Sequence, residues 1–312
     1  MSEKFGMDRA VTRRAVVTGG AGFVGSHLCE ALLRAGWRVV SLDDCSTGSP
    51  ANLERALAMG VEALEVDITT PDLDAAMART RPEVVFHLAA LSSVTLCQRD
   101  PERCEAVNAG GTARVWDAAR RSGAGKLVNV SSLAVHGVSP DAYGRSKLAA
   151  EEYLAGQASS AKMRLTTLRP ANVYGPRQHG DGESAVVATW LGAMVRGEPL
   201  FLDGDGRQTR DFLYVDDAVA AMVLAADRAD GHTLELGMGV ETSLVTLLGT
   251  MGGTTGWRGR PSRRPARPGD IRRSVVDPRP AAGRLGWEAR TGLDEGLRLT
   301  WEWMTGKEKT DL

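Results

Sequence analysis

The chain has 312 residues, 43% of them hydrophobic, and a formal net charge of -1. That length suits one large α/β domain or a cofactor domain with a smaller companion, and the balanced charge gives no long-range field to draw in nucleic acid or an anionic membrane. No apolar run is long enough to cross a bilayer and the opening MSEKFGMDRAVTRR has no apolar core of signal-peptide type, so a cytoplasmic protein is expected.

Residues 1–12 are expected to be disordered. From there RRAVVTG reads as a strand, FVGSHLCEALLRAG as a helix and WRVVSLD as a second strand. The alternation continues through EVVFHLAA, KLVNVSS and RLTTLRP, which predicts βαβ units and a doubly wound parallel sheet of the Rossmann kind over residues 13–170. After Pro170 the rhythm breaks into NVYGPRQHGDGES, read as a polar loop over a pocket. A smaller C-terminal α/β substrate lobe is expected over 171–306, and a flexible tail over 307–312. Within it VVATWLGAMVRG and VDDAVAAMVLAADRA look helical and HTLELG strand-like. The basic segment WRGRPSRRPARPGDIRR is read as loop, open to a solvated face, an anion site or an RNA-binding patch.

VVTGGAGFVGSHL sets Gly19, Gly22 and Gly25 between a strand and a helix. The first glycine permits a tight turn, the second lets backbone approach a pyrophosphate, and the third lets helix pack close on strand. The helix N-terminus adds unpaired amides and a positive dipole end. Asp43 closes the next strand, where a carboxylate accepts from an adenosine ribose hydroxyl and repels a 2'-phosphate, favouring NAD over NADP. Asp67, ending ALEVDI, is placed to receive an adenine amino group. In YGRSK, Tyr143 and Lys147 stand one helical turn apart, and Ser132 can complete a catalytic set. A phenol active at neutral pH needs its pKa lowered by about 3 units, which Lys147 and an oxidised nicotinamide ring together can supply. Cys29, Cys45, Cys97 and Cys104 form no CxxC pair, so neither a disulfide nor a metal site is expected, only buried or incidental thiols.

In this order the motifs resemble the extended short-chain dehydrogenase/reductases, specifically the NAD-dependent sugar-nucleotide epimerase/dehydratase group, from TGGAGFVGSHL to about Trp287. The resemblance implies a cofactor site that also takes in Phe23, Val24, Asp44, Ser46, Thr47, Gly48, Ile68, Leu88, Ala89, Ala90, Asn108, Val130 and Pro170, with Tyr143 and Lys147 touching the nicotinamide. It implies that Asn172 in RPANVYGPRQ, Arg210 in GDGRQTRDFLYVDD and Arg267 in RPGDI hold a nucleotide diphosphate, with Ser92 and Ser132 near the sugar. The implied activity is epimerisation of a nucleotide-activated sugar, at C4 through a transient 4-keto sugar, by a homodimer that binds neither nucleic acid nor membrane. A keto-sugar reductase, a 4,6-dehydratase and a non-catalytic NAD sensor are the competing readings. Leu133 and Ala134 stand where dehydratases of the group carry an Asp-Glu pair, and neither can move a proton. The chain departs from the group at His136, where most relatives have tyrosine, read as a packing substitution. It departs again in the five residues VSPDA that separate Gly137 from Tyr143, where a longer loop is usual.

Overall fold

The computed structural model describes residues 12–136, 141–180, 185–266 and 271–307. β1 (Arg14–Thr18) turns tightly into α1 (Phe23–Arg34), and β2 (Arg38–Asp43) returns parallel to β1. α2 (Glu54–Ala58), β3 (Glu62–Glu65), α3 (Asp72–Thr80) and β4 (Val84–His87) follow. Then come α4 (Val94–Arg99), α5 (Pro101–Glu105), a π-helical turn over Ala106–Gly110, and α6 (Gly111–Arg121). β5 (Lys126–Val130), α7 (Ala142–Ala158) and β6 (Arg164–Pro170) complete the first half.

The second half holds β7 (Asn172–Tyr174), α8 (Val186–Arg196), β8 (Phe201–Asp203), β9 (Thr209–Arg210), β10 (Phe212–Tyr214) and α9 (Val215–Ala225). It ends with β11 (Thr233–Leu236), β12 (Thr242–Ser243), α10 (Leu244–Thr255), β13 (Ser262–Arg264), α11 (Arg279–Leu285) and α12 (Leu293–Met304).

Seven strands form one parallel sheet in the order β3-β2-β1-β4-β5-β6-β11. The pleat sends alternate residues to opposite faces, and the core divides accordingly. Ala15, Val17, Phe86, Val128 and Leu168 enter one cluster, joined by α1, α8 and α9. Val16, Val85, Leu127 and Leu165 enter the other, joined by α3, α6 and α7. Strands buried on both faces explain the near-continuous apolar runs in the sequence. Phe86 and Trp116 are fully buried, each contributing about 3 kcal/mol of apolar transfer. The strand order reverses at β1, so the connections after β1 and β4 leave on opposite faces and open a crevice at the carboxyl ends, where ligands bind in such sheets.

Two readings of the second half change. Asn172–Tyr174, expected as loop, is strand β7, paired in parallel with β10, so a long-range partner supplies order that local polarity hides. The basic segment is not all loop either, because Ser262–Arg264 pairs with β8. Its arginines are largely matched within the chain: Arg272 to Asp205, Arg273 to Glu241, and Arg264 over the Phe201 ring. Among the described residues no helix is long and apolar enough to cross a membrane, and no group of three or more metal-ligating side chains occurs.

Candidate active site

A cavity of about 2570 Å³ lies along the carboxyl ends of the central strands. Single small-molecule sites occupy roughly 300 to 1,000 Å³, so this volume suits two extended ligands side by side. Gly19, Gly22, Phe23, Val24, Asp43, Asp44, Ser46, Thr47, Gly48, Asp67, Ile68, Leu88, Ala89, Ala90, Val130 and Pro170 border it, together with Ser92, Ser132, Tyr143, Lys147, Asn172 and Arg210. Of the residues expected at the site, Asn108 does not line the cavity and Arg267 lies outside the described residues.

At one end the backbone does the shaping. Gly19 adopts φ +73°, and a Cβ on it would stand 2.7 Å from the Ala89 amide nitrogen. A Cβ on Gly25 would stand 2.0 Å from the Gly19 carbonyl oxygen, so only glycine lets α1 seat this close to β1. The α1 N-terminus, capped at Gly22 with no side-chain bond, keeps its amides directed at the crevice. Asp43 accepts from Ala21 N at 2.9 Å and Cys45 N at 2.8 Å. Burial pushes its carboxyl pKa up, opposed by these amides. A carboxylate offers about four lone-pair sites, so Asp43 can brace the turn and still receive ribose hydroxyls. Asp67 commits Oδ1 to Thr69 N at 2.8 Å, a local turn that aims the other oxygen elsewhere. This cradle, which a Cβ would fill, and the buried Ser131 hydroxyl lining the cavity, with no hydrogen-bond partner among the described residues, fit a dinucleotide.

Beneath the floor runs a chain of polar groups. Thr112 donates to the Asn108 carbonyl at 2.5 Å, so it must accept from His87 Nε2–H at 2.8 Å, leaving His87 Nδ1 to accept from Thr18 at 2.8 Å. His87 is therefore neutral, with burial pushing its pKa down to about 3. Asn108, on the π-helical turn, closes both bonds with the Leu91 backbone at 2.7 and 3.1 Å and donates to Ser146 at 2.9 Å. Its side chain thus fastens the Leu91 loop to α7 instead of reaching the cavity.

Asp141 caps α7 through Gly144 N at 2.8 Å, which fixes the first turn carrying Tyr143. The Ser132 hydroxyl stands beside the Tyr143 phenol on the cavity wall. Burial pushes the phenol pKa up, while the Ser132 hydroxyl pulls it down. Lys147 donates to Val130 O at 2.7 Å, and burial brings its ammonium down to about 8, held up in part by Glu151. Lys147 gives one of its three N–H donors to the strand end and keeps two, with its charge, for the crevice.

At the other end Asn172 and Arg210 border the cavity, with Arg210 Nη1 anchored on Thr209 O at 2.8 Å and Ile271 O at 2.6 Å. Sequence reasoning missed several neighbours. Glu235 lines the cavity, yet within HTLELG it reads only as a strand residue. His136 does not fill the core as expected: its side chain is 52% exposed, borders the cavity and bonds Glu235 at 2.5 Å. The cysteine expectation is also corrected, because Cys97 and Cys104 form a disulfide with Cα atoms 5.1 Å apart. Seven residues of separation gave no motif, but the α4–α5 corner folds them together against Leu91 and Ala142. Cys29 remains a buried thiol, pushed up to about 12 by burial.

A glycine-rich turn on α1, an acid ending β2 and a Ser-Tyr-Lys set facing one crevice define an NAD-dependent enzyme of the short-chain dehydrogenase class. Residues 15–237 match the NAD dependent epimerase/dehydratase family, and the chain belongs to it. A UDP-glucose 4-epimerase of Mycolicibacterium smegmatis is 39% identical, covering 95% of this chain and 100% of the relative. The crystal structure of a Thermotoga maritima UDP-glucose 4-epimerase with UDP-glucose superposes with a TM-score of 0.89 at 35% identity, over 94% of this chain and 99% of the other. A Thermus thermophilus UDP-glucose 4-epimerase in complex with NAD gives 0.87 at 34% identity, over 94% and 99%. The chain is an NAD-dependent epimerase of nucleotide-activated sugars.

Proposed function

We propose that Ser132, Tyr143 and Lys147 carry out the reaction, at C4 of a sugar joined to UDP, the nucleotide named for the relatives above. The observation that carries this reading is the convergence of Ser132, Tyr143 and Lys147 on the wall of one cavity large enough for both ligands. Tyr143 as phenolate takes the proton from the sugar hydroxyl, and the Ser132 hydroxyl holds the same oxygen in place. Lys147, fixed by Val130, orients the dinucleotide ribose and keeps a positive charge within a turn of the phenol. Bound NAD would supply the hydride acceptor and donor for the sugar carbon. Gly19, Gly22 and Asp43 hold its phosphates and ribose; Asn172, Arg210 and Arg267 hold the diphosphate of the substrate. Leu133 and Ala134 border the cavity with no group able to eliminate water, which favours epimerisation over dehydration.

The reading includes a substrate lobe beginning after Pro170, a homodimer formed through α6 and α7, and a cytoplasmic setting. Incubation of purified protein with UDP-sugars, without added cofactor, tests it. The 4-epimer should form until equilibrium with no net absorbance change at 340 nm, whereas stoichiometric consumption of NADH with a keto-sugar would indicate a reductase.

A further inference from the structure

The sugar end of the cavity carries a feature that the catalytic set does not use. β11 lies beside β6 at the sheet edge, with Glu235 opposite Arg169, and the turn after β5 carries His136 four residues beyond Ser132. Neighbouring strands lie about 4.8 Å apart, so the ends of β5 and β11 stand about 10 Å apart. The His136 and Glu235 side chains span that gap and meet at 2.5 Å, forming a bar across the carboxyl end of β6.

Arg169 sits under the bar but is committed elsewhere. Its Nε and Nη2 grip Glu151 at 2.9 and 2.5 Å, one turn along α7 from Lys147. Its Nη1 stands 3.3 Å from His136 Nε2 and 4.0 Å from Glu235. Glu235 takes the Nε2 hydrogen, and a guanidinium only donates, so the Arg169 approach is a contact of charge and not a second bond. Arg169 spends its bonds on Glu151 and faces Glu235 only across 4.0 Å. The cavity is left facing a carboxylate with a remaining acceptor oxygen and a half-exposed imidazole.

We propose that this bar selects the sugar: Glu235 accepts from a sugar hydroxyl and turns away a carboxylate, so the substrates are uncharged hexoses and not uronic acids. The proposal rests on the nucleotide-sugar reading above and adds the chemistry of the sugar to it. Like charges brought together in a partly desolvated pocket repel, while a hydroxyl donor to a carboxylate forms a charge-assisted bond. The lining lysine and arginines stand apart from the bar: Lys147 one turn along α7 from Tyr143 and tied to Val130, Arg210 and Arg273 at the Asn172 end, with Arg273 paired to Glu241, and Arg99 and Arg103 on the α4–α5 wall.

The test measures Kd by calorimetry and kcat/KM for UDP-glucose and UDP-glucuronate on the NAD-loaded protein. The wild type should favour the neutral sugar at least 10-fold in both. Glu235→Gln should narrow that preference about 10-fold, mostly through tighter binding of the uronate, and His136→Asn, which keeps the carboxylate, should retain most of it. Equal or better binding of the uronate by the wild type, or an unchanged ratio in Glu235→Gln, would overturn the proposal. Because the Kd ratio needs no turnover, failure of the catalytic reading and failure of this one are separable.

Discussion

At the glycine-rich end of the cavity the contacts are made by backbone, with Gly19 and Gly25 letting β1 and α1 close to distances that no side chain permits. At the β6–β11 end they are made by side chains from separate elements, with His136, Arg169 and Glu235 meeting across three strand ends. The first end leaves no room for a side chain at Gly19 or Gly25, and in the proposed reading it meets the dinucleotide phosphates. The second, proposed to meet the sugar, is built from side chains that can change one at a time while the backbone of the sheet stays as it is.

The largest effect should come from breaking the backbone-built end. Gly25→Ala forces a Cβ onto the Gly19 carbonyl, and α1 must move off β1. We expect a loss of about 3 kcal/mol in denaturant unfolding together with loss of bound dinucleotide. A variant that retained both would remove the packing argument. A smaller effect sharpens the region between the two ends. The unfolded His87 imidazole takes a proton as pH falls through 6.5, and the buried one does not until about 3. The unfolded state then binds more protons, so stability decreases as the pH is lowered through that window, by about 1 kcal/mol from pH 7 to 5.5. Unfolding curves at the two pH values should show this slope flattened in His87→Gln. An identical slope would mean that the imidazole is not held neutral.

The sheet was legible because strands buried on both faces keep a continuous apolar signal, as in RAVVT and VVFH, and the cofactor turn because its glycines are fixed by sterics at short spacing. β7 was not legible, since its three residues are ordered by β10, forty positions away in the register Asn172–Phe212. Asn108 stands in a motif that suggests ligand contact, but its amide is consumed by Leu91 and Ser146, a bonding pattern that exists only after folding. The Cys97–Cys104 bond and the His136–Glu235 bar escaped for the same reason, because each depends on a corner or an edge strand that local composition does not encode. Tyr143 and Lys147 were legible through their helical spacing, but the burial that pushes the phenol pKa up depends on the packing around α7 and leaves no trace in that spacing.

The account turns on the phenol. Tyr143→Phe removes one oxygen beside Ser132 and leaves the glycine turn and Asp43 untouched. Single-turnover mixing of that variant with a UDP-sugar, followed at 340 nm, should show dinucleotide still bound and hydride transfer slowed by about 1,000-fold, in the range for loss of a general base. Transfer at the wild-type rate would assign the proton to another group and contradict the mechanism.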